Sequence, residues 1–176
     1  DKLGIAFYDK SIIIRLAGKT GFSEAYIEDH EQRRSPFANF NNGYYNGLSG
    51  GDELFIRESE MIKEIAQKES CVIIGRCADY ILKDQENLIR IFIYGDMNDK
   101  IDRAVRYYGL KRERAERAIQ KNDRERALHY KHYTDQEWAD KSNYDICINS
   151  GLIGAEKTAE LICTMINENY RRNGNV

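Results

Sequence analysis

Four short apolar runs punctuate the chain: Ile5–Tyr8, Cys71–Gly75, Ile89–Tyr94 and Asp145–Asn149. Three of them are rich in β-branched residues. They lean toward continuous apolar runs, which predicts strands of a sheet covered on both faces. Between the runs, apolar residues recur at helical spacing. Lys10–Gly18 carries Ile12, Ile13, Leu16 and Ala17. Asp52–Lys68 carries Leu54, Phe55, Met61, Ile62, Ile65 and Ala66. In Asn98–Tyr108, the residues Ile101, Ala104, Val105 and Tyr108 share one face. A last helix is expected to start near Gly154, with Ala155, Ala159, Leu161, Ile162, Met165 and Ile166. Strand–helix alternation of this kind predicts an α/β domain with a parallel sheet. Glu31–Gly51, rich in Asn, Gly, Ser and Tyr, breaks the rhythm and is expected to be a flexible loop or flap.

Composition narrows the class. A chain of 176 residues suits one domain with a core. A net charge of -2 excludes a general polyanion binder, so any basic function is local. No apolar run approaches a membrane span and the first residues do not form a signal peptide, so no membrane partner and a cytoplasmic location are expected. Cys71, Cys77, Cys147 and Cys163 form no CxxC pair and are expected to be buried, reduced thiols.

Charge is concentrated between Lys100 and Lys131, where eleven Lys or Arg face five Asp or Glu. Arg114, Arg117, Lys121 and Arg124 share one helix face. Between Leu110 and Leu128 the only large apolar residue is Ile119, which predicts a surface helix, weakly anchored and able to move. Three readings stand side by side. The segment is a solvated helix laced with ion pairs, a strip for nucleic acid, or a lid over a phosphoryl group.

The run VIIGRCADYIL sets Gly75 and Arg76 at the carboxyl end of a strand, where open α/β sheets bind ligands. Arg76 there is either a phosphate clamp or the partner in a structural ion pair. Asp9 and Asn149-Ser150 end two other strands in the same way, and the three points converge only if those strands are neighbours in one sheet. His129 and His132 read as a solvated pair of imidazoles, and no metal site is expected. No nucleophile with an attendant base stands out.

Five segments in order, FYDKSII, VIIGRCADYIL, IRIFIYGDMNDKIDRAVRYYGL, KNDRERALHYKHYT and NYDICINSGLIGAEKTAELI, resemble the cytidylate kinase-like family, a nucleoside monophosphate kinase branch of the P-loop kinases. The resemblance implies a parallel-sheet P-loop NTPase fold, a three-layer α/β/α domain over residues 1–176 with a helical lid at 111–133. It implies transfer of ATP's γ-phosphoryl group, with Mg2+, to a monophosphate such as CMP or dCMP or to a related small acceptor. Arg76 and Asp9 would meet the acceptor. Where cytidylate kinases follow Gly-Arg with Asp, this chain has Cys77, and the nearest carboxylate is Asp79. Arg124 and Arg126 would come over the transferring phosphate, with Asp123 orienting them or the acceptor. Arg103 and Arg106 would flank the donor adenine, with Asn149 and Ser150 on its rim. No GxxxxGK[ST] occurs in the 176 residues. By the resemblance that loop is expected upstream of Asp1, so the domain is expected to be incomplete at its N-terminus and inactive alone. The alternative is a nucleic-acid-binding or regulatory protein on a degenerate kinase fold, although the resemblance favours nucleotides over nucleic acid as partners.

Overall fold

The computed structural model describes residues 2–10, 12–13 and 48–172. In chain order the elements are strand β1 (Ala6–Tyr8), helix α1 (Leu48–Lys68), strand β2 (Cys71–Ile73), the short helix α2 (Ala78–Ile81) and strand β3 (Ile91–Tyr94). Helices α3 (Met97–Tyr108) and α4 (Arg112–Thr134) follow, then strand β4 (Ile146–Asn149) and helix α5 (Ser150–Arg172). Every strand expected from the apolar runs is present, shortened at one end. The α/β class and the parallel pairing hold.

The strands form two sheets rather than one. β1 pairs parallel with β2, with Ala6 opposite Cys71 and Tyr8 opposite Ile73. β3 pairs parallel with β4, from Ile91 opposite Ile146 to Tyr94 opposite Asn149. Among the described residues no ladder joins β2 to β3. One face of the first pair packs Tyr8, Cys71 and Ile73 against Ile13, Ile62, Ile65, Ala78 and Leu82. The other face exposes Phe7 (57%), Val72 and Ile74 (55%). The expectation of strands covered on both faces is therefore corrected. The period-2 geometry of a strand sends Phe7 and Val72 to the side opposite Tyr8 and Ile73.

Ile13 and Ile62 are fully buried in the core against the first pair. A separate cluster joins α3 to α4 through Ile101, Ala104, Ala115 and Ile119. Gly109 lets the chain turn between them. Its φ of 65 is left-handed, and its N–H reaches back to the Val105 carbonyl while that of Leu110 reaches Ala104, closing α3. Phe92 stacks on Tyr144 with centroids 4.9 Å apart and meets the edge of Trp138 at 5.4 Å. At the amino ends of β3 and β4, Arg90 donates to both oxygens of Asp145 at 3.1 and 2.7 Å.

Three other expectations need correction or restriction. Leu48–Gly51 belong to the first turn of α1 and not to a loop, whereas 31–47 lie outside the described residues, as does 14–18 of the first expected helix. Of the four free cysteines only Cys77 is buried; the others are half-buried. The last helix begins at Ser150, four residues early, but Gly154 (φ 80, ψ 160) kinks it where regular helix was expected to start. Among the described residues, no helix is long and apolar enough to cross a membrane.

Candidate active site

In each sheet the parallel strands send their carboxyl ends to the same side. At the first, Asp9 follows β1 and Gly75-Arg76 follows β2, on neighbouring strands. Asp9 Oδ1 accepts from the backbone N–H of Ile12 at 3.0 Å, so the carboxylate caps the turn that begins at Lys10. Gly75, Arg76 and Cys77 have φ of 73, 58 and 56, three left-handed residues in a row. Glycine takes that conformation freely, but Arg and Cys are each raised by roughly 1–2 kcal/mol there. The turn is held by the N–H of Ala78 donating to the Gly75 carbonyl at 3.2 Å and by that of Ile81 donating to Cys77 at 2.9 Å.

The strongest hold on this turn is a buried ion pair. Arg76 is 9% exposed and Glu58, on α1, is 0% exposed. Arg76 Nε donates to Glu58 Oε2 at 3.0 Å, and Nη2 donates to the same oxygen. Glu58 Oε1 has no hydrogen-bond partner among the described residues. The structural ion pair, one of the two sequence readings of Arg76, is thus present at the carboxyl end of the strand.

Helix α4 lies across the same turn. Cys77 Sγ sits 3.5 Å from His129 Nδ1. Burial pushes the Cys77 thiol up to about 12. Burial, followed by the nearby charges of Arg76 and Lys10, pushes His129 down to about 3. Near neutral pH the two are a thiol and a neutral imidazole, which are not a nucleophile and its base. His129 is half-buried, not fully solvated; it also meets the edges of Phe55 and Tyr133 at 6.2 and 4.8 Å. His132 is exposed, 3.6 Å from Asp52. Tyr130, buried, donates to Asp79 Oδ2 at 2.6 Å. Burial, then that carboxylate, raises the phenol well above its ordinary range.

The expectation of a weakly anchored α4 is accordingly revised. Ala115 and Ile119 hold its first half to α3, while Tyr130 and Thr134 bury its last turns. Tyr133 stacks on Phe55 at 3.8 Å. The aromatic rings replace the aliphatic residues that the helix lacks.

Between these anchors lies the charged middle of α4. Asp123 accepts from Lys100 of α3 at 2.6 Å and pairs with Arg126 at 3.2 Å. The Arg126 guanidinium also lies 5.9 Å from the centroid of Trp138. Arg124 is exposed, as are Arg114, Arg117 and Lys121 on the row predicted from their spacing.

At the carboxyl ends of β3 and β4, Ser150 Oγ donates to the Tyr94 carbonyl at 3.1 Å, and Asn149 Oδ1 accepts from the Gly151 N–H at 3.0 Å. A Cβ at Gly151 would meet the Asp99 carboxylate, which would have to turn aside. Arg103 and Arg106 are exposed on α3, with guanidiniums 5.3 and 5.5 Å from the ring centroid of Tyr107.

Asp9 and Arg76 thus share one pair of strand ends, and Asp79 is linked to α4 through Tyr130. Asn149 and Ser150 stand at the ends of the other pair, so the condition for their convergence with Asp9 and Arg76, neighbouring strands in one sheet, is not met among the described residues. Glu58 and Tyr130 went unnoticed in the sequence, and His129 was read as solvated. Spacing carries a signal for both of the unnoticed residues. Glu58 falls on the helix face of Ile62 and Ile65, and Tyr130 continues the stripe of Ala115 and Ile119. Among the described residues no three His, Cys, Asp or Glu gather as a metal site.

The cytidylate kinase-like family matches residues 1–152. The chain is also similar to the crystal structure of an uncharacterized protein from Eubacterium ventriosum. The two are 27% identical with a TM-score of 0.73, over 95% of this chain and 86% of that one. No curated protein matches.

Proposed function

The chain belongs to the cytidylate kinase-like family, and on that premise we propose that it transfers the γ-phosphoryl group of ATP to CMP, dCMP or a related small acceptor. The observation that carries the proposal is the family match over residues 1–152, joined to Asp9 and Arg76 at adjacent carboxyl ends of parallel strands. Such ends are where open α/β sheets receive ligands. Arg76 takes the acceptor phosphate, Asp9 its sugar or base, and Asp79 the place of the carboxylate that follows Gly-Arg in cytidylate kinases.

Residues 111–133 act as the lid. Arg124 is solvent-facing and Arg126 is held by an exposed pair with Asp123. Pairs of that kind are worth only about 0–1 kcal/mol, so exchanging a carboxylate for phosphate oxygens costs little. The two guanidiniums then neutralise charge on the transferring group while the lid excludes water. Arg103 and Arg106 around Tyr107 offer a cationic, aromatic face to the donor adenine, with Asn149 and Ser150 on its rim.

ATP brings the phosphoryl group and Mg2+ the charge that screens it. A Mg2+ carried on nucleotide phosphates takes only one or two carboxylates from a protein. A three-layer P-loop fold is part of the same proposal; no GxxxxGK[ST] occurs among the 176 residues.

The test is phosphoryl transfer from ATP with Mg2+ to a panel of monophosphates by the full-length protein. CDP or dCDP formation is expected, and transfer to no monophosphate would refute the proposal. A second reading, binding of nucleic acid, has the exposed row Arg114, Arg117, Lys121 and Arg124 in its favour. It requires binding of DNA or RNA that weakens steeply with salt, and it ends if none is seen at low salt.

A further inference from the structure

Resting on the reading of Arg76 as the acceptor-phosphate ligand, we propose that Glu58 is its positioning residue. The contact it makes sets the orientation of the guanidinium and with it the affinity for the acceptor's phosphate. Glu58 lies in the middle of α1, 0% exposed, on the face that also carries Ile62 and Ile65. A carboxylate almost never takes so buried a place unless it is paired. It spends one oxygen on two Arg76 donors, Nε and Nη2, and leaves Oε1 without a partner among the described residues. For stability alone this arrangement is poor. A buried, unsatisfied acceptor costs roughly 1–3 kcal/mol, and an apolar pair in its place is often as stable.

The backbone points the same way. Arg76 and Cys77 keep left-handed conformations that neither residue favours, and strain of this kind collects at ligand-binding positions. Glu58 fixes one side of the guanidinium to a rigid helix, so the turn cannot relax without breaking the pair. An arginine whose plane is fixed before the ligand arrives loses less freedom on binding. Glu58 therefore acts through Arg76 and does not touch the acceptor.

The test uses the full-length protein and calorimetric binding of CMP, cytidine and inorganic phosphate. Glu58→Asp keeps the charge, and with it most of the stability, but draws the guanidinium back by one methylene. Glu58→Gln keeps the length and removes the charge. We expect Glu58→Asp to weaken CMP and phosphate about tenfold while cytidine binds as in the parent, because a shift on the order of 1 Å is enough to spoil such a contact. A purely structural Glu58 would lower the melting temperature and leave the ratio of CMP to cytidine affinity unchanged. Full CMP and phosphate affinity in a folded Glu58→Asp protein overturns the proposal, with Glu58→Gln as a second chance to see it fail. Arg76→Lys separates the two levels. If it leaves phosphate affinity intact, or if the parent binds neither CMP nor phosphate, the reading of Arg76 falls and Glu58 falls with it. If Arg76→Lys loses phosphate while both Glu58 variants keep it, only the Glu58 assignment is wrong.

Discussion

The arginines at the first strand ends and those on α3 and α4 carry the same charge in opposite settings. Arg76 is almost wholly buried and tied to a carboxylate that is itself fully buried. Arg112 and Arg126 stand in water, each paired with an aspartate near the surface. In the first setting, removing either partner leaves a charge in a place that cannot solvate it. In the second, water takes over the lost partner. A buried arginine is thus fixed and costly to disturb, whereas exposed ones exchange partners freely. That division separates a guanidinium held in one place from others able to change partners at the surface.

Mutation measures the difference directly. Arg76→Ala should cost roughly 3–5 kcal/mol of folding stability, since it strands the buried Glu58 charge. Urea unfolding reads this, and a loss under about 1 kcal/mol would show the pair to be solvated. Loss of activity in Arg76→Ala therefore cannot by itself assign a ligand contact, and Arg76→Lys is the better probe.

His129 provides the next effect. The fold keeps its imidazole neutral down to about 3, whereas the unfolded chain protonates it near 6.5. The stability it contributes is complete above 6.5 and is lost as pH falls from 6.5 toward 3. The slope is about 1.4 kcal/mol per pH unit, so roughly 2–3 kcal/mol should disappear between pH 6.5 and 4.5. His129→Asn should flatten that part of the stability profile. An unchanged slope would mean that the ring is open to water.

Tyr130→Phe should cost about 1–2 kcal/mol through loss of its hydrogen bond to Asp79, and should loosen the last turns of α4 in hydrogen exchange. Protection as high as in the parent would show that this contact does not anchor the helix. Arg112→Ala, which breaks only an exposed pair with Asp102, should change stability by less than about 1 kcal/mol. A larger loss would erase the contrast between buried and exposed arginines.

How much of this could be read in the sequence follows from what each signal depends on. The strands and helices were legible because burial of a face imposes a period on the chain, and Ile101, Ala104 and Val105 keep it. The boundaries of α1 were not, since Leu48–Gly51 contain two glycines and a serine that favour loops locally but continue a helix anchored further on. Arg76 was legible as a strand-end residue, but its partner was not. Glu58 sits in IRESEMIKE among Glu60 and Glu64, and only its phase relative to Ile62 and Ile65 distinguishes it. The anchoring of α4 was missed because it rests on Tyr130 and Tyr133, residues that read equally well as surface aromatics beside arginines. The spread of the strand ends over two sheets depends on pairing across long separations, which no local pattern encodes.

The most direct test is transfer of labelled phosphate from ATP. The full-length protein is incubated with [γ-32P]ATP, Mg2+ and CMP or dCMP, and the nucleotides are separated. The account predicts label in the diphosphate, lost when Mg2+ is chelated and strongly reduced in Arg126→Ala. A folded protein that binds ATP yet labels no monophosphate would contradict it.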